Sequence, residues 1–550
     1  MTTVEQSPLA GQTMSPPLLI SSLIRNADRY FGDITIVSRL EDGTIHRYDY
    51  RTCHRRARQL ADGLTQLGLV MGDRVASLGW NNFRHLEAYF AIPGAGLVLN
   101  TINPRLHADQ VTYIAGHADA KCVLFDLSFI AQAEAIAAHC PQVQHFIAMC
   151  VPGDMPADTT IANLICYEDF IADASDQFEW PVFDETAASA LCYTSGTTGE
   201  PKGALYSHRS TMIHSYAEVM PDAFNISSRD VIMPVVPMYH ANAWGLPYAA
   251  ALAGAKLVLP GPMMDGRSLY ELIEGEGVTF SAGVPTVWSG LLDHVAENEL
   301  GFTSFKRMNI GGSACPRAMM KTFRETHGVD VIHAWGMTEM SPMGTICTLQ
   351  ARHADLAEED QQALRETQGH PVFGVDMLLL DDHGDELPWD GKTSGNLFVK
   401  GPWVIDSYFK RPRGSALHDG WLPTGDVVTI SPHGYIKITD RNKDIIKSGG
   451  EWISSIEIEN ISQLHPDVQQ AACIGVVHPK WGERPILVVI PRRGADLTKS
   501  ALLDFLDGKI ARWWMPDDVI FVDTIDLGPT GKVLKNRLRE RFSALITPVA

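Results

Sequence analysis

The stretch Tyr193-Thr-Ser-Gly-Thr-Thr-Gly-Glu-Pro-Lys-Gly203 puts three glycines, a cluster of hydroxyl side chains and one lysine into eleven residues. Glycine permits positive φ and close backbone approach, so successive N–H groups can converge on an anion while the hydroxyls and Lys202 add polar and charged contacts. The loop therefore reads as a cradle for a polyphosphate. Residues 187–192 before it are apolar and predict a strand, and Ser207-His-Arg-Ser after it predicts a helix start. Strand, loop and helix in that order place the cradle at the carboxyl end of a strand in an α/β fold. A Walker-type loop requires G-x-x-x-x-G-K-[ST]; here Lys202 follows Pro201 and precedes Gly203, which excludes it. A Gly/Ser/Thr-rich surface linker is the plainer alternative, disfavoured by the ordered Pro-Lys-Gly end.

The 550 residues exceed what one core accommodates, so at least two modules are expected. With 45% hydrophobic and 20% charged residues the composition is that of a globular enzyme. A formal net charge of -20 without any run of Lys/Arg argues against nucleic acid and anionic membrane as partners. Nine cysteines, odd in number and without a C-x-x-C pair, read as reduced thiols of a cytoplasmic protein and form no metal cage. The start of the chain lacks the basic and apolar regions of a signal peptide. The weakly polar stretch 244–264 is broken by Lys256 and three prolines, so it is expected to be buried helix and strand with no integral membrane segment.

Helix-like 51–67, strand-like 74–78, helix-like 83–90 and apolar 96–99 alternate as layered α/β subdomains would. Strands are also expected at 256–259 and 307–310. The polar run Asp440-Arg-Asn-Lys-Asp444 marks a boundary between a large domain, 1–440, and a small mobile α+β domain, 441–550. In the small domain Ser454-Ser-Ile-Glu457 predicts a capping box opening a helix toward Gln463.

Six further motifs could each be ordinary turns when read alone. Trp335-Gly-Met-Thr-Glu339 could be a strand-to-turn segment, with Glu339 offering a hard carboxylate oxygen. Gly311-Gly-Ser-Ala-Cys-Pro316 leaves backbone room for a ligand, with Cys315 a structural thiol. Trp421-Leu-Pro-Thr-Gly-Asp426 ends in an acidic residue after a turn, and a lone loop Asp is commonly a capping or solvated group. Lys447-Ser-Gly-Gly-Glu-Trp452 has the glycine pair of a hairpin turn. In Leu527-Gly-Pro-Thr-Gly-Lys-Val-Leu-Lys535, Lys532 would otherwise pass as a tail charge. Pro237-Met-Tyr-His-Ala-Asn-Ala-Trp-Gly-Leu-Pro247 is an uncharged run suited to an aliphatic or weakly polar group, and its His240 alone would be an ordinary structural histidine.

Together with the phosphate loop, and in this order, the motifs resemble those of the adenylate-forming superfamily of acyl-CoA synthetases, luciferases and peptide-synthetase adenylation domains. The resemblance spans essentially the whole chain and is nearest to medium- and long-chain fatty acyl-CoA synthetases and the group containing methylmercaptopropionate-CoA ligases. It implies ATP, Mg²⁺ and coenzyme A as cofactor and co-substrates, a small carboxylic acid as substrate, and a homodimer. Ser195, Gly196, Thr197, Thr198, Gly199 and Lys202 would hold phosphates. Gly312, Ser313 and Ala314 would line the adenine and acyl channel, with Trp335, Gly336, Met337 and Thr338 around the adenine and α-phosphate. Thr194 and Glu339 would bind the metal, Asp426 the ribose, and Arg441 the ribose or phosphate. His240 would lie by the carboxylate and Trp244 would gate the acyl tunnel. Lys443 would be the hinge, Lys447 and Trp452 would help form the CoA tunnel, and Lys532 would be the catalytic lysine. Most family members carry tyrosine where this chain has Trp335. An enzyme passing its acyl group to a carrier protein, a luciferase-like oxidase and a non-catalytic nucleotide-binding regulator are the rival readings.

Overall fold

The computed structural model describes residues 12–194, 200–441, 443–449, 451–528 and 533–542, whose strands gather into four sheets. The first sheet runs Ile165–Cys166, His145–Ala148, Ala120–Phe125, Arg74–Leu78, Val98–Thr101, Ala188–Thr194, Lys202–Ser207. Every pairing is parallel except the last. The second has nine strands, with a parallel centre from Thr35–Arg39 through Lys256–Leu259, Val231–Pro234, Phe280–Gly283 and Arg307–Ile310 to Asp330–Gly336, and antiparallel strands at both ends. Parallel strands covered on both faces need continuous apolar runs, and Arg74–Leu78 and Lys256–Leu259 supply them.

Helix Phe83–Gly94 lies between these sheets and is buried at every position except Arg84. A helix buried on nearly every side needs such a sandwiched place. Leu86 and Phe90 join one core with Val75 and Leu99 of the first sheet and Ile232 and Leu257 of the second. Glu87 on this helix is fully buried; it accepts from Arg56 Nε at 2.7 Å and from the Tyr167 hydroxyl at 2.6 Å.

Most of the expected elements form with shifts of a residue or two: helix Tyr50–Gln66, strand Arg74–Leu78, and strands Lys256–Leu259 and Arg307–Ile310. The order after the phosphate loop differs from expectation. A second strand, Lys202–Ser207, precedes the helix and pairs antiparallel with Ala188–Thr194, with Thr194 opposite Lys202. The loop thus closes a hairpin instead of feeding a helix. The helix His208–Val219 then starts at Ser207, whose hydroxyl accepts from the Ser210 N–H at 3.0 Å while Ser210 Oγ accepts from the Ser207 N–H.

A four-stranded antiparallel sheet, Asp376–Leu380, Ser394–Lys400, Leu422–Ile430 and Ile436–Arg441, leads to a five-stranded one built from residues 446–521. Helix Ser455–Ser462 opens with only half of the expected capping box: the Ser454 hydroxyl accepts from the Glu457 N–H at 3.1 Å, while the Glu457 carboxylate pairs with Lys437 Nζ at 3.1 Å. The start of this helix is tied to the end of the preceding sheet. The Asp440 carboxylate accepts from the Ser455 N–H at 2.7 Å and its hydroxyl at 2.6 Å. Lys535 donates to Ser455 Oγ and pairs with Glu459 Oε1 at 2.8 Å, while Arg539 pairs with Asp444. All nine cysteines are buried and free; burial pushes the thiols of Cys192 and Cys347 up, to about 11 and about 12. No helix among the described residues is long and apolar enough to cross a membrane.

Candidate active site

The phosphate hairpin is held at its mouth. The Tyr193 hydroxyl and His117 Nδ1 lie 2.7 Å apart, and the Thr194 hydroxyl reaches the Lys202 carbonyl at 3.5 Å. Lys202 Nζ sits 5.1 Å from the centre of the Tyr408 ring, a cation–π arrangement. The Tyr408 hydroxyl donates to Glu339 Oε1 at 2.8 Å. Burial and the neighbouring Glu339 carboxylate push the Tyr408 phenol up, so it stays a donor at neutral pH. The backbone completes the join: the Phe409 N–H donates to the Gly203 carbonyl at 2.8 Å and the Ile405 N–H to the Glu339 carbonyl at 2.9 Å. Further along the strand that carries Lys202 and Gly203, the Tyr206 hydroxyl donates to the Thr338 carbonyl at 2.5 Å. Lys202, Thr338 and Glu339 are therefore neighbours across one wall.

Strand Asp330–Gly336 delivers Trp335 and Gly336 at its carboxyl end, where the chain turns through Thr338–Met340 into Met343–Ile346. Gly336 is required by space, because a Cβ there would overlap the Pro342 carbonyl. The Trp335 ring packs over Gly344, and its Nε1–H donates to Asp426 Oδ2 at 2.9 Å. The other carboxylate oxygen, Oδ1, pairs with Arg441 Nε at 3.0 Å. Asp426 is 3% exposed, and strand pairing sets Asp426 directly opposite Arg441. A carboxylate has about four lone-pair sites, so two protein donors fix it and leave acceptor capacity for a diol.

Gly311 lies against the Ala334 carbonyl and the Trp244 ring, and Gly312 against the same ring, which joins the 311–314 bend to the 237–247 segment. Ser313 on this bend is exposed and Ala314 half-buried. The 237–247 segment and the strand before it are firmly pinned. The Asn81 side chain donates to the Pro234 and Val236 carbonyls at 2.8 and 3.0 Å and accepts from the Met238 N–H at 2.7 Å, and Tyr89 donates to the Met238 carbonyl. After the half-buried His240 the chain makes a left-handed turn, with φ of 42° at Ala241, 55° at Asn242, 53° at Ala243 and 55° at Trp244. Each such residue costs an L-amino acid about 1–2 kcal/mol, least for asparagine. Gly245, with φ 83°, ends the turn at no such cost and leads into helix Leu246–Ala253. The turn leaves Trp244 only 8% exposed.

Among the remaining residues singled out from sequence, Met337 donates its N–H to the Pro342 carbonyl at 3.0 Å. Lys443 is exposed in the turn before strand Ile446–Ser448. Lys447 and Trp452 face each other across the hairpin of the C-terminal sheet, Lys447 Nζ lying 5.7 Å from the indole centre. Ser195, Gly196, Thr197, Thr198, Gly199 and Lys532 lie outside the described residues. Sequence reasoning missed Tyr206, His117 and Tyr408; Tyr408 stands 69 residues from the Glu339 it contacts and carries no local signal.

Among the described residues no group of three or more His, Cys, Asp or Glu could hold a metal alone. Glu339 and Thr194 supply oxygen donors only, which fits Mg²⁺ bound through one carboxylate with phosphate oxygens and water completing its shell.

The profile of the family described as AMP-binding enzyme matches residues 23–409, and that described as AMP-binding enzyme C-terminal domain matches 457–532. A 3-methylmercaptopropionyl-CoA ligase of Ruegeria lacuscaerulensis is 52% identical over 98% of this chain and 100% of its own length. A medium-chain-fatty-acid–CoA ligase of Ectopseudomonas oleovorans is 48% identical over 98% of each. Among solved structures, ATP-bound MatB from Rhodopseudomonas palustris superposes with a TM-score of 0.80 at 27% identity, covering 96% of this chain and 100% of that one.

Proposed function

We propose, for a chain that belongs to the AMP-binding enzyme family, that it is an AMP-forming acid–CoA ligase acting on a medium-chain or thioether-bearing aliphatic acid. In the first step a carboxylate oxygen attacks the α-phosphorus of Mg²⁺-bound ATP, giving acyl-AMP and pyrophosphate. In the second the CoA thiol adds to the acyl carbon, AMP leaves with the electron pair of the broken C–O bond, and the thiol proton passes to solvent. The observation that carries the reading is the continuous wall from Lys202 through Tyr408 and Glu339 to Trp335, Asp426 and Arg441.

Each part of that wall has a job in the first step. Asp426, oriented by the Trp335 indole and Arg441, takes the ribose diol. Glu339, oriented by Tyr408, and Thr194 would hold the Mg²⁺, whose charge would offset that of the phosphates. Lys202 and the 195–199 segment hold the β- and γ-phosphates. Lys532 supplies positive charge where negative charge grows at the α-phosphorus, an interaction that strengthens in the transition state. His240 and Trp244 face the acid, Gly312, Ser313 and Ala314 border adenine and acyl chain, and Gly336, Met337 and Thr338 back the α-phosphate. Lys447 and Trp452 come into play with CoA.

The same reading divides the chain into a large unit, 1–440, and a small mobile unit, 441–550, turning at Lys443 so that Lys532 and the CoA-side hairpin serve in succession. It also includes a homodimer. Supplying preformed acyl-AMP with free CoA tests the thiol acceptor: acyl-CoA is expected, and no gain over water would overturn the ligase reading. AMP release over a panel of alkyl and thioether acids tests the acid class.

A further inference from the structure

Glu218 is 0% exposed on helix His208–Val219, and neither of its carboxyl oxygens has a hydrogen-bond partner. Its neighbour one turn earlier, His214, points Nδ1 at Oε2 across 3.6 Å, beyond hydrogen-bond range. His214 Nε2 accepts from the Met343 N–H at 3.1 Å, so in the neutral ring the proton is on Nδ1, facing Glu218. The carboxyl group is aimed at Gly245: a Cβ built there would lie 2.6 Å from Oε2 and 2.7 Å from Oε1. An apolar side chain would fill this space at lower cost than a buried carboxyl whose oxygens accept no hydrogen bond. The orphan acceptor thus abuts the end of the left-handed turn, next to Trp244, where the backbone is strained.

We propose that Glu218, backed by His214, is a positioning residue for the acyl-side turn: its carboxyl group captures backbone N–H groups of the 243–245 segment when the turn relaxes, moving Trp244 to admit longer acids. The inference rests on the ligase reading and on Trp244 bordering the acyl path. In the conformation described, packing against Glu218 and the 3.4 Å contact from Cys192 Sγ to Asn242 Oδ1 hold the left-handed turn. In the relaxed one, the same carboxyl satisfies amides that would otherwise be buried unpaired. Short acids that fit beneath Trp244 do not require the second state; long ones do. Glu218 therefore sets the upper range of chain length without touching the acid.

The test compares Glu218→Met, which keeps size and removes the acceptors, with Glu218→Gln, which keeps a carbonyl acceptor. Both are assayed by AMP release on propionate, butyrate, octanoate and decanoate. Glu218→Met is expected to lower kcat/KM for octanoate and decanoate at least tenfold, with propionate and butyrate within twofold and KM for ATP unchanged. Glu218→Gln should recover most of the loss. In a Trp244→Ala background, exchanging Glu218 should no longer discriminate by length, a readout that survives if the single Met variant folds poorly. Equal losses at all lengths, no loss with long acids, or a Gln variant as impaired as Met would overturn the proposal. Failure of the unsubstituted protein to release AMP with any acid would instead overturn the ligase reading.

Discussion

Two regions of this molecule are built on anchored carboxylates and use them in opposite ways. At the joint between the last two sheets, Asp440 and Glu459 spend their capacity on Ser455, Lys535 and backbone N–H groups, all within the protein. At the wall of the site, Tyr408 holds one oxygen of Glu339, and Trp335 and Arg441 hold Asp426; in the proposed function their remaining lone pairs serve a ligand. A charge whose partners are all internal fixes geometry. A charge steadied by donors on one side is preorganised for something that arrives from the other, as electrostatic catalysis requires.

The contrast can be broken most forcefully at the joint. Lys535→Met strands Glu459 and Asp440 without their cation, and losing one partner of a buried pair costs about 3–5 kcal/mol, read as a drop in unfolding free energy by denaturant titration. Replacing Glu459 by Met as well should restore much of that loss, since the uncompensated charge is then gone. A Lys535→Met protein of unchanged stability would show the joint to be dispensable. At the reacting centre, Lys532→Ala should cost about 3 kcal/mol or more in pyrophosphate exchange while leaving thioester formation from acyl-AMP less affected. Equal losses in both half-reactions would remove the step-specific role given to Lys532. The mildest change, Tyr408→Phe, deletes one hydrogen bond to Glu339 and is expected to lower kcat/KM for MgATP by about 1 kcal/mol with unaltered melting temperature. If instead the melting temperature falls and catalysis does not, Tyr408 belongs with the joint's kind of contact.

What was legible in the sequence were features with a short range. Strand Arg74–Leu78, the caps at Ser207 and Ser454, and the motif order are local signals of apolar run, side-chain oxygen and glycine placement. The second hairpin strand, Lys202–Ser207, was not legible: Pro201 and Gly203 look like loop punctuation, and the strand gains its partner only through pairing with Ala188–Thr194. Distance hid the orienting groups as well. Trp335 and Asp426 are 91 residues apart, so each motif could be noticed but not their hydrogen bond. Glu218 was hidden differently, because His214 and Glu218 four apart on a helix look like a solvated face until both prove buried.

The burial of all nine cysteines has a consequence for an enzyme whose second co-substrate is itself a thiol. Disulfide exchange requires an accessible thiolate, and here burial withholds both access and ionisation, as at Cys192 and Cys347. The protein therefore offers oxidised CoA no sulfur to attack its disulfide. The protein's own sulfurs are thereby shielded from mixed disulfides with CoA, and the only reactive sulfur in the second step is the one delivered, in its reduced form, to be acylated.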